Sequence, residues 1–308
     1  MFLTVLILTR NEARHIARAI ESVQAVADCI VVVDSGSTDA TCQIAADMGA
    51  RVLHHPWVNY ATQFNWGLDN LPAPTDWVLR LDADEIVSPE LRAEIAYGLK
   101  AQPPEVQGIH VSRRMTFLRR PIRHGGVFPI RVLRLFRHGS GRCENRWMDE
   151  HILVSGQTAD FRGEILDDNT NPLGWWTDKH NAYASREVID LLNLEYRFLP
   201  MQSVARLRGG RQDGVKRWIK ERLYARLPGG LRAAVYFLYR YVFRLGFLDG
   251  FEGAAFHILQ GFWYRFLVDA KLREVRQCMA QENLPPAEAI RRVLGITLPS
   301  APQDGATP

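Results

Sequence analysis

Four short apolar runs punctuate the first hundred residues: LTVLIL at 3–8, CIVVV at 29–33, RVL at 51–53 and WVLRL at 77–81, with amphipathic stretches between them. The alternation predicts successive β-α units and a mainly parallel sheet. Residues 12–26 place Ile16, Ala19, Ile20 and Val23 at helical spacing, and residues 38–48 follow a Ser-Thr-Asp start that can cap a helix. A further helix is expected to begin at Ser88-Pro89-Glu90. Residues 108–163, rich in arginine, glycine and short apolar runs, predict more strands and loops that complete a mixed sheet. Beyond Trp175 the period turns helical, with an amphipathic stretch over 178–194, breaks at Gly209-Gly210 and Pro228-Gly229-Gly230, and a frayed tail from Pro299. The opening MFLTVLILT has no basic flank and soon reaches Arg10, Asn11 and Glu12, so it reads as a first buried strand and not as a signal peptide.

Composition adds size and setting. With 308 residues and 47% hydrophobic content the chain can fill one large core plus an appendage, which excludes default disorder. The expected division is an α/β domain over 1–200 and a helical region over 201–308. Cys29, Cys42, Cys143 and Cys278 are widely spaced, without a Cys-x-x-Cys pair, which fits a reduced, cytosolic setting. The net charge of +4 hides a local excess, because residues 201–246 hold eleven Lys or Arg against Asp213 and Glu221. Aromatic residues interleave this block, so an anionic partner fits it better than solvation alone.

Ligands of open α/β sheets bind at the carboxyl ends of the strands. Three polar clusters sit there: TRNE at 9–12, DSGSTD at 34–39 and DADE at 82–85. Asp82 and Asp84, two residues apart in a turn leaving a strand, could aim oxygens at one hard cation that neutralises a diphosphate; they could equally be a solvated acidic turn before a helix. Asp34 could accept hydrogen bonds from a nucleobase or ribose, with Gly36 permitting close approach, or could belong to a capped turn. Asn11 is open in the same way, as ligand or as cap.

Together, TRNE, VVVDSGSTD and LDADE, in this order and spacing, resemble the nucleotide-sugar-binding half of family 2 glycosyltransferases with the GT-A fold. The resemblance covers about residues 3–160. RRPIRHGGVFPIRVLRLF at 119–136 and Asp149-Glu150-His151 are similar to the branch that builds lipopolysaccharide core and exopolysaccharide, and GFLDG at 246–250 extends the likeness. It implies a GT-A, Rossmann-like mixed sheet with helices on both faces, followed by a C-terminal helical, membrane-associating region. It also implies Thr9, Asn11, Glu12, Asp34, Ser35 and Asn65 around the nucleotide, Asp84 as principal ligand of Mg2+ or Mn2+, and Asp82 beside it on the sugar and ribose. Relatives often carry a second aspartate where Ser35 stands and an arginine where Phe64 stands, so base identity and the diphosphate contact stay open.

Transfer to an acceptor hydroxyl needs a base on the face opposite the leaving diphosphate, and therefore inverts the anomeric centre. Glu150 is the expected base and Asp149 its orienting neighbour; a surface acidic pair is the alternative. Arg113, Arg114, Arg119, Arg120 and Arg123 form a basic stretch suited to phosphate. His151 and His180 lack zinc spacing and are expected to be structural or substrate-facing. The expected donor is a nucleotide-diphospho-sugar, UDP-linked and carrying a hexose, and the expected acceptor a lipid-linked saccharide.

Nucleic acid is not an expected partner, and oligomeric state stays open. The runs over 233–268 are cut by Arg240, Arg244, Asp249, Glu252 and Arg265, so no span of about twenty apolar residues can cross a bilayer. Residues 201–272 are expected to lie on an anionic surface, the cytoplasmic face of the inner membrane. A nucleotidyltransferase would need a glycine-rich phosphate loop, which TRNEARH lacks. A non-catalytic scaffold would have lost Asp84 or Glu150.

Overall fold

The computed structural model describes residues 1–144, 151–199 and 230–298. Asp149, Glu150 and residues 201–229 of the basic segment lie outside the described residues. Two compact units share the chain, one holding residues 1–144, 151–171 and 239–256 and the other 172–199, 230–238 and 257–298.

In the first unit, strands β1 (Leu3–Thr9), β2 (Cys29–Asp34), β3 (Arg51–His54) and β4 (Trp77–Asp82) pair in parallel in the order β3-β2-β1-β4. Burial on both faces explains why β1, β2 and β4 are near-continuous apolar runs, while β3 at the sheet edge is partly exposed. Along β1, Leu3, Val5 and Ile7 pack with Ile16, Ala19, Ile20 and Val23 of helix α1 (Ile16–Val23). Leu6 points the other way, joining Val31, Val33, Ala61, Phe64 and Leu68, the last three on helix α3 (Tyr60–Asp69). The period of two thus assigns helices to opposite faces of one sheet. Helix α2 (Thr41–Asp47) joins the α1 side through Ala45.

The sheet turns mixed after β4. Short β5 (Glu85–Val87) leads to α4 (Pro89–Gly98), capped as expected by Ser88, whose Oγ accepts from the Leu91 N–H at 3.2 Å. Strands β6 (Val106–Phe117) and β7 (Arg120–Pro121) form a hairpin, β8 (Ile130–Arg137) lies antiparallel between β4 and β6, and β11 (Gln157–Asp167) runs parallel to β6 and antiparallel to β5. Between β8 and β11, β9 (Gly141–Cys143) and β10 (Ile152–Val154) make a separate two-stranded ribbon. This is the mixed sheet that residues 108–163 led us to expect.

The second unit is helical. α5 (Leu173–Tyr196) contributes Ala184, Val188, Ile189 and Leu192 to a core shared with Tyr264, Val268, Leu272 and Val275 of the helix Tyr264–Glu282 and with Ala289 and Ile290 of the helix Pro286–Leu294. No helix among the described residues is long and apolar enough to cross a membrane.

Candidate functional site

Parallel pairing brings the carboxyl ends of the strands into line. Thr9 stands opposite Asp34, Asp34 opposite His54, and Leu8 opposite Asp82. Three of the sequence clusters therefore meet on one edge.

Asp34 is buried and heavily hydrogen-bonded. Its Oδ1 accepts from the Gly36 N–H at 2.9 Å and the Ser37 N–H at 2.8 Å, while Oδ2 accepts from Thr9 Oγ1 at 3.1 Å and from Ser37 Oγ. Burial alone would raise this carboxyl, but the bonds from Ser37, Gly36 and Thr9 outweigh it and hold Asp34 below the ordinary aspartate range. The fan needs Gly36, whose φ of +94° an L side chain rarely adopts. Ser35 Oγ donates to the Thr9 carbonyl at 3.0 Å, tying the two strand ends together.

Asn11 and Glu12 stitch the loop after β1 to the loop after β2. Asn11 Oδ1 accepts from the Thr38 N–H at 2.8 Å, and the Asn11 N–H donates to Ser37 Oγ at 2.8 Å. Asp39 accepts from the N–H groups of Ala13 at 3.1 Å and Thr41 at 3.0 Å, so it bridges two loops as well as turning the chain into α2. The Glu12 side chain meets buried His15, with Oε2 2.7 Å from Nδ1. Because the Thr170 N–H donates to His15 Nε2 at 3.0 Å, that nitrogen is the acceptor and Nδ1 carries the proton given to Glu12.

Asp82 and Asp84 have different surroundings. Asp82 Oδ1 accepts from Tyr60 Oη at 2.8 Å, and Oδ2 lies 3.2 Å from Arg134 Nη2. Arg80 Nε stands 3.8 Å from Oδ1. Burial would raise Asp82, yet the guanidiniums of Arg134 and Arg80 hold it well below the ordinary range. Beneath it, Arg134 Nη2 also bonds Glu85 Oε1, and both side chains are almost fully enclosed, at 2% and 1% exposure. Glu85 Oε2 accepts the Asp82 N–H at 3.0 Å, which fixes the turn. Burial pushes the Glu85 carboxyl up, with Arg134 opposing.

Asp84 is half-buried and has no cationic neighbour of this kind among the described residues. One oxygen accepts from Asn169 Nδ2 at 2.8 Å, and its carbonyl accepts the Asp168 N–H at 3.0 Å. The second carboxylate oxygen has no hydrogen bond among the described residues. The pair thus fits a divalent cation unequally, with Asp84 presenting an open hard oxygen and Asp82 already facing two guanidiniums. Elsewhere on the same edge Asp34, Cys42 and His54 bring ligand atoms within 4.8 Å of one another. Within this trio Asp34 is already committed to Thr9, Gly36 and Ser37.

Other expected residues lie apart from this edge, except Arg113, whose guanidinium helps to hold Asp82 low. Asn65 donates from Nδ2 to the Cys143 carbonyl and accepts the Cys143 N–H at Oδ1, both at 2.9 Å, so it braces β9 against α3 and its amide is engaged at both ends. On β6, Arg113 and Arg114 face Asp167 at 3.9 Å and Glu164 at 3.0 Å. Arg119, Arg120 and Arg123 are exposed in the turn and loop that follow. His151 is exposed, with Nδ1 2.9 Å from Oε1 of buried Glu144. His180 stacks on Trp176 at 3.5 Å and donates from Nδ1 to its carbonyl at 2.8 Å, a structural arrangement.

Sequence reasoning missed Tyr60, Arg80, Arg134, His15, Asn169 and Thr170. Arg80 and Arg134 left a signal, each a lone charge in an apolar run, WVLRL and VLRLF. Tyr60, Asn169 and Thr170 come from distant segments that only the fold assembles, whereas His15 lies three residues from Glu12.

Comparison with known proteins adds family and kin. Residues 4–167 match the family model described as Glycosyl transferase family 2. An uncharacterized glycosyltransferase of Rickettsia typhi is 28% identical over 91% of this chain and 91% of its own length. Another, from Rickettsia felis, is 46% identical over 31% of this chain, and the match spans only 33% of that protein. The lipopolysaccharide core biosynthesis glycosyltransferase LpsC of Rhizobium meliloti is 33% identical over 53% of this chain and 62% of its own. Among solved structures, glucosyl-3-phosphoglycerate synthase from Mycobacterium tuberculosis, in complex with Mn2+, UDP and glucosyl-3-phosphoglycerate, aligns at 23% identity over 37% of this chain and 44% of that one, with a TM-score of 0.31.

Proposed function

Because the chain belongs to glycosyltransferase family 2 and carries its GT-A sheet, we propose that it moves a hexose with inversion from a UDP-sugar to a lipid-linked, lipopolysaccharide-type saccharide. The observation that supports this most directly is the shared carboxyl edge, where Asp34 and Thr9 stand in register and Asp82 opposes Leu8 on the neighbouring strand pair. One end of the edge suits a nucleoside and the other a diphosphate.

In this reading Asp34, kept anionic and aimed by four hydrogen bonds, accepts from the base or ribose. Glu12, oriented by His15, closes the same pocket. Asp82 takes hydroxyls of the ribose and the transferred sugar, with Tyr60 and Arg134 fixing its rotamer. Asp84 would hold Mg2+ or Mn2+, which supplies neutralisation of the departing diphosphate. Glu150 would take the acceptor proton as the new bond forms, and Asp149 would orient it or the sugar. The 33% identity to LpsC supports a lipopolysaccharide-type acceptor, and with a lipid-linked acceptor the protein would work peripherally at the cytoplasmic face of the inner membrane.

The test is Asp84→Asn. A screen of nucleotide-sugars with Mg2+ or Mn2+ should find one that the wild type binds and slowly hydrolyses. The variant should keep its thermal midpoint and lose transfer together with the metal-dependent part of donor binding. Near-normal turnover in a folded variant would remove Asp84 from the reaction.

A further inference from the structure

Within the first unit, residues 239–256 form an excursion whose inner face is clamped and whose outer face is apolar. Asp249 accepts the N–H groups of Arg123 at 3.0 Å and His124 at 2.8 Å, and its Oδ1 lies 2.6 Å from His124 Nδ1. The Gly125 N–H donates to the Arg244 carbonyl at 2.8 Å, while the largely buried Arg240 donates from Nε to the Gly125 carbonyl at 2.9 Å. Phe256 seats edge-on against Phe117 at 5.5 Å. Gly253 is required for this turn, since a Cβ there would stand 2.4 Å from Asp249 Cβ and 2.9 Å from the Gly246 carbonyl oxygen. The excursion is held to the basic loop 119–126 by geometry on both sides.

The same excursion turns large apolar side chains to solvent. Phe243 and Phe251 are each 76% exposed, and Leu245, Phe247 and Leu248 are about half exposed. Around them Arg119, Arg120, Arg123 and Arg244 are also exposed. A rigid apolar tip of this size within nine residues marks an interaction surface.

Resting on the membrane reading above, we propose that the excursion is a wedge that enters the headgroup layer of an anionic bilayer, with Phe243, Phe247, Leu248 and Phe251 as the inserting side chains and the arginines as its phosphate-binding rim. Charge selects this occupant. A two-fold dimer through the same patch would set one arginine rim against another, which repels. An anionic lipid surface reverses that sign. Aromatic rings suit the headgroup boundary, and the depth reached by side chains alone needs no spanning helix.

The experiment is flotation of the full-length protein with vesicles of phosphatidylethanolamine and phosphatidylglycerol, and with neutral phosphatidylcholine vesicles, at low and high salt. Wild type should float with the anionic vesicles. Phe243→Ser with Phe251→Ser should lower the partition coefficient at least tenfold with the thermal midpoint unchanged. Arg119→Gln with Arg123→Gln should weaken the salt-sensitive part only. If wild type floats and the double serine variant floats equally, the wedge is wrong and another segment docks the protein. If wild type does not float, the membrane reading and the wedge fall together. Concentration-dependent self-association that the serine variant loses, without vesicle binding, would assign the patch to a second copy. Donor hydrolysis measured without vesicles keeps the glycosyl-transfer reading separately decidable.

Discussion

Asp82 and Asp84 show how far two identical residues can be separated by their company. Asp82 faces Arg134, Arg80 and Tyr60, whereas the Asp84 carboxylate meets, among the described residues, the neutral amide of Asn169. The Arg134 guanidinium meets Glu85 where both side chains are shut away from water, while Asp82 above them stays partly exposed. Arg134→Met should therefore cost on the order of 3–5 kcal/mol, as expected when one partner of a buried ion pair is removed. Denaturant unfolding measures it, and Arg134→Met combined with Glu85→Leu should recover part of the loss. At the acceptor side, Glu150→Gln should reduce turnover by about two to four orders of magnitude with donor affinity little changed. Steady-state kinetics beside Asp149→Asn decides between the neighbours, and the larger kcat loss identifies the base.

At the scale of elements, the parallel strands were legible because double burial writes itself as unbroken β-branched runs. Helix limits were less so. Residues 12–15 do not join α1, since the Glu12 carbonyl accepts from both the His15 N–H at 2.8 Å and the Ile16 N–H at 2.9 Å and makes a separate turn. α5 begins at Leu173, five residues before the amphipathic stretch starts at 178, because Pro172 opens it and its first turn is not buried in the helical core. The candidate site divides similarly. Thr9, Asp34, Asp82 and Asp84 could be found because each lies in or just after a strand whose pattern is strong. Arg134 reaches Asp82 from a strand 52 residues on, and Asn169 reaches Asp84 from 85 residues on, distances no local periodicity encodes.

Across the whole molecule, the two units should respond to acid at different pH. Burial pushes the His180 imidazole down to about 4, with its bond to the Trp176 carbonyl opposing. The unfolded chain, whose histidines titrate near 6.5, binds that proton first, so the helical unit loses stability as pH falls from about 6.5 towards 4. His180→Phe should flatten thermal stability over that window. Asp34 is lowered instead, so its hydrogen-bond fan contributes at neutral pH and is lost only as pH falls below the ordinary aspartate range. Hydrogen exchange on α5 and on β1 and β2 as pH is lowered distinguishes the two, and simultaneous loss above pH 4 would contradict the assignment.

Four residues past the last strand carry more than their irregular backbone suggests. Arg18 holds Asp168 at 2.7 Å, Thr116 Oγ1 donates to the same carboxylate at 2.6 Å, Asn169 holds Asp84, Thr170 fixes His15, and the Thr170 carbonyl accepts from Arg14 at 2.9 Å. The family match stops at 167, with β11. A fragment cut there for crystallisation or fusion would keep every strand of the sheet and still leave the turn at Asp84 and the imidazole behind Glu12 without their anchors. A cut that spares these anchors therefore falls after Asn171, beyond the point where secondary structure would place the scissors, and it still leaves out residues 239–256 of the same unit.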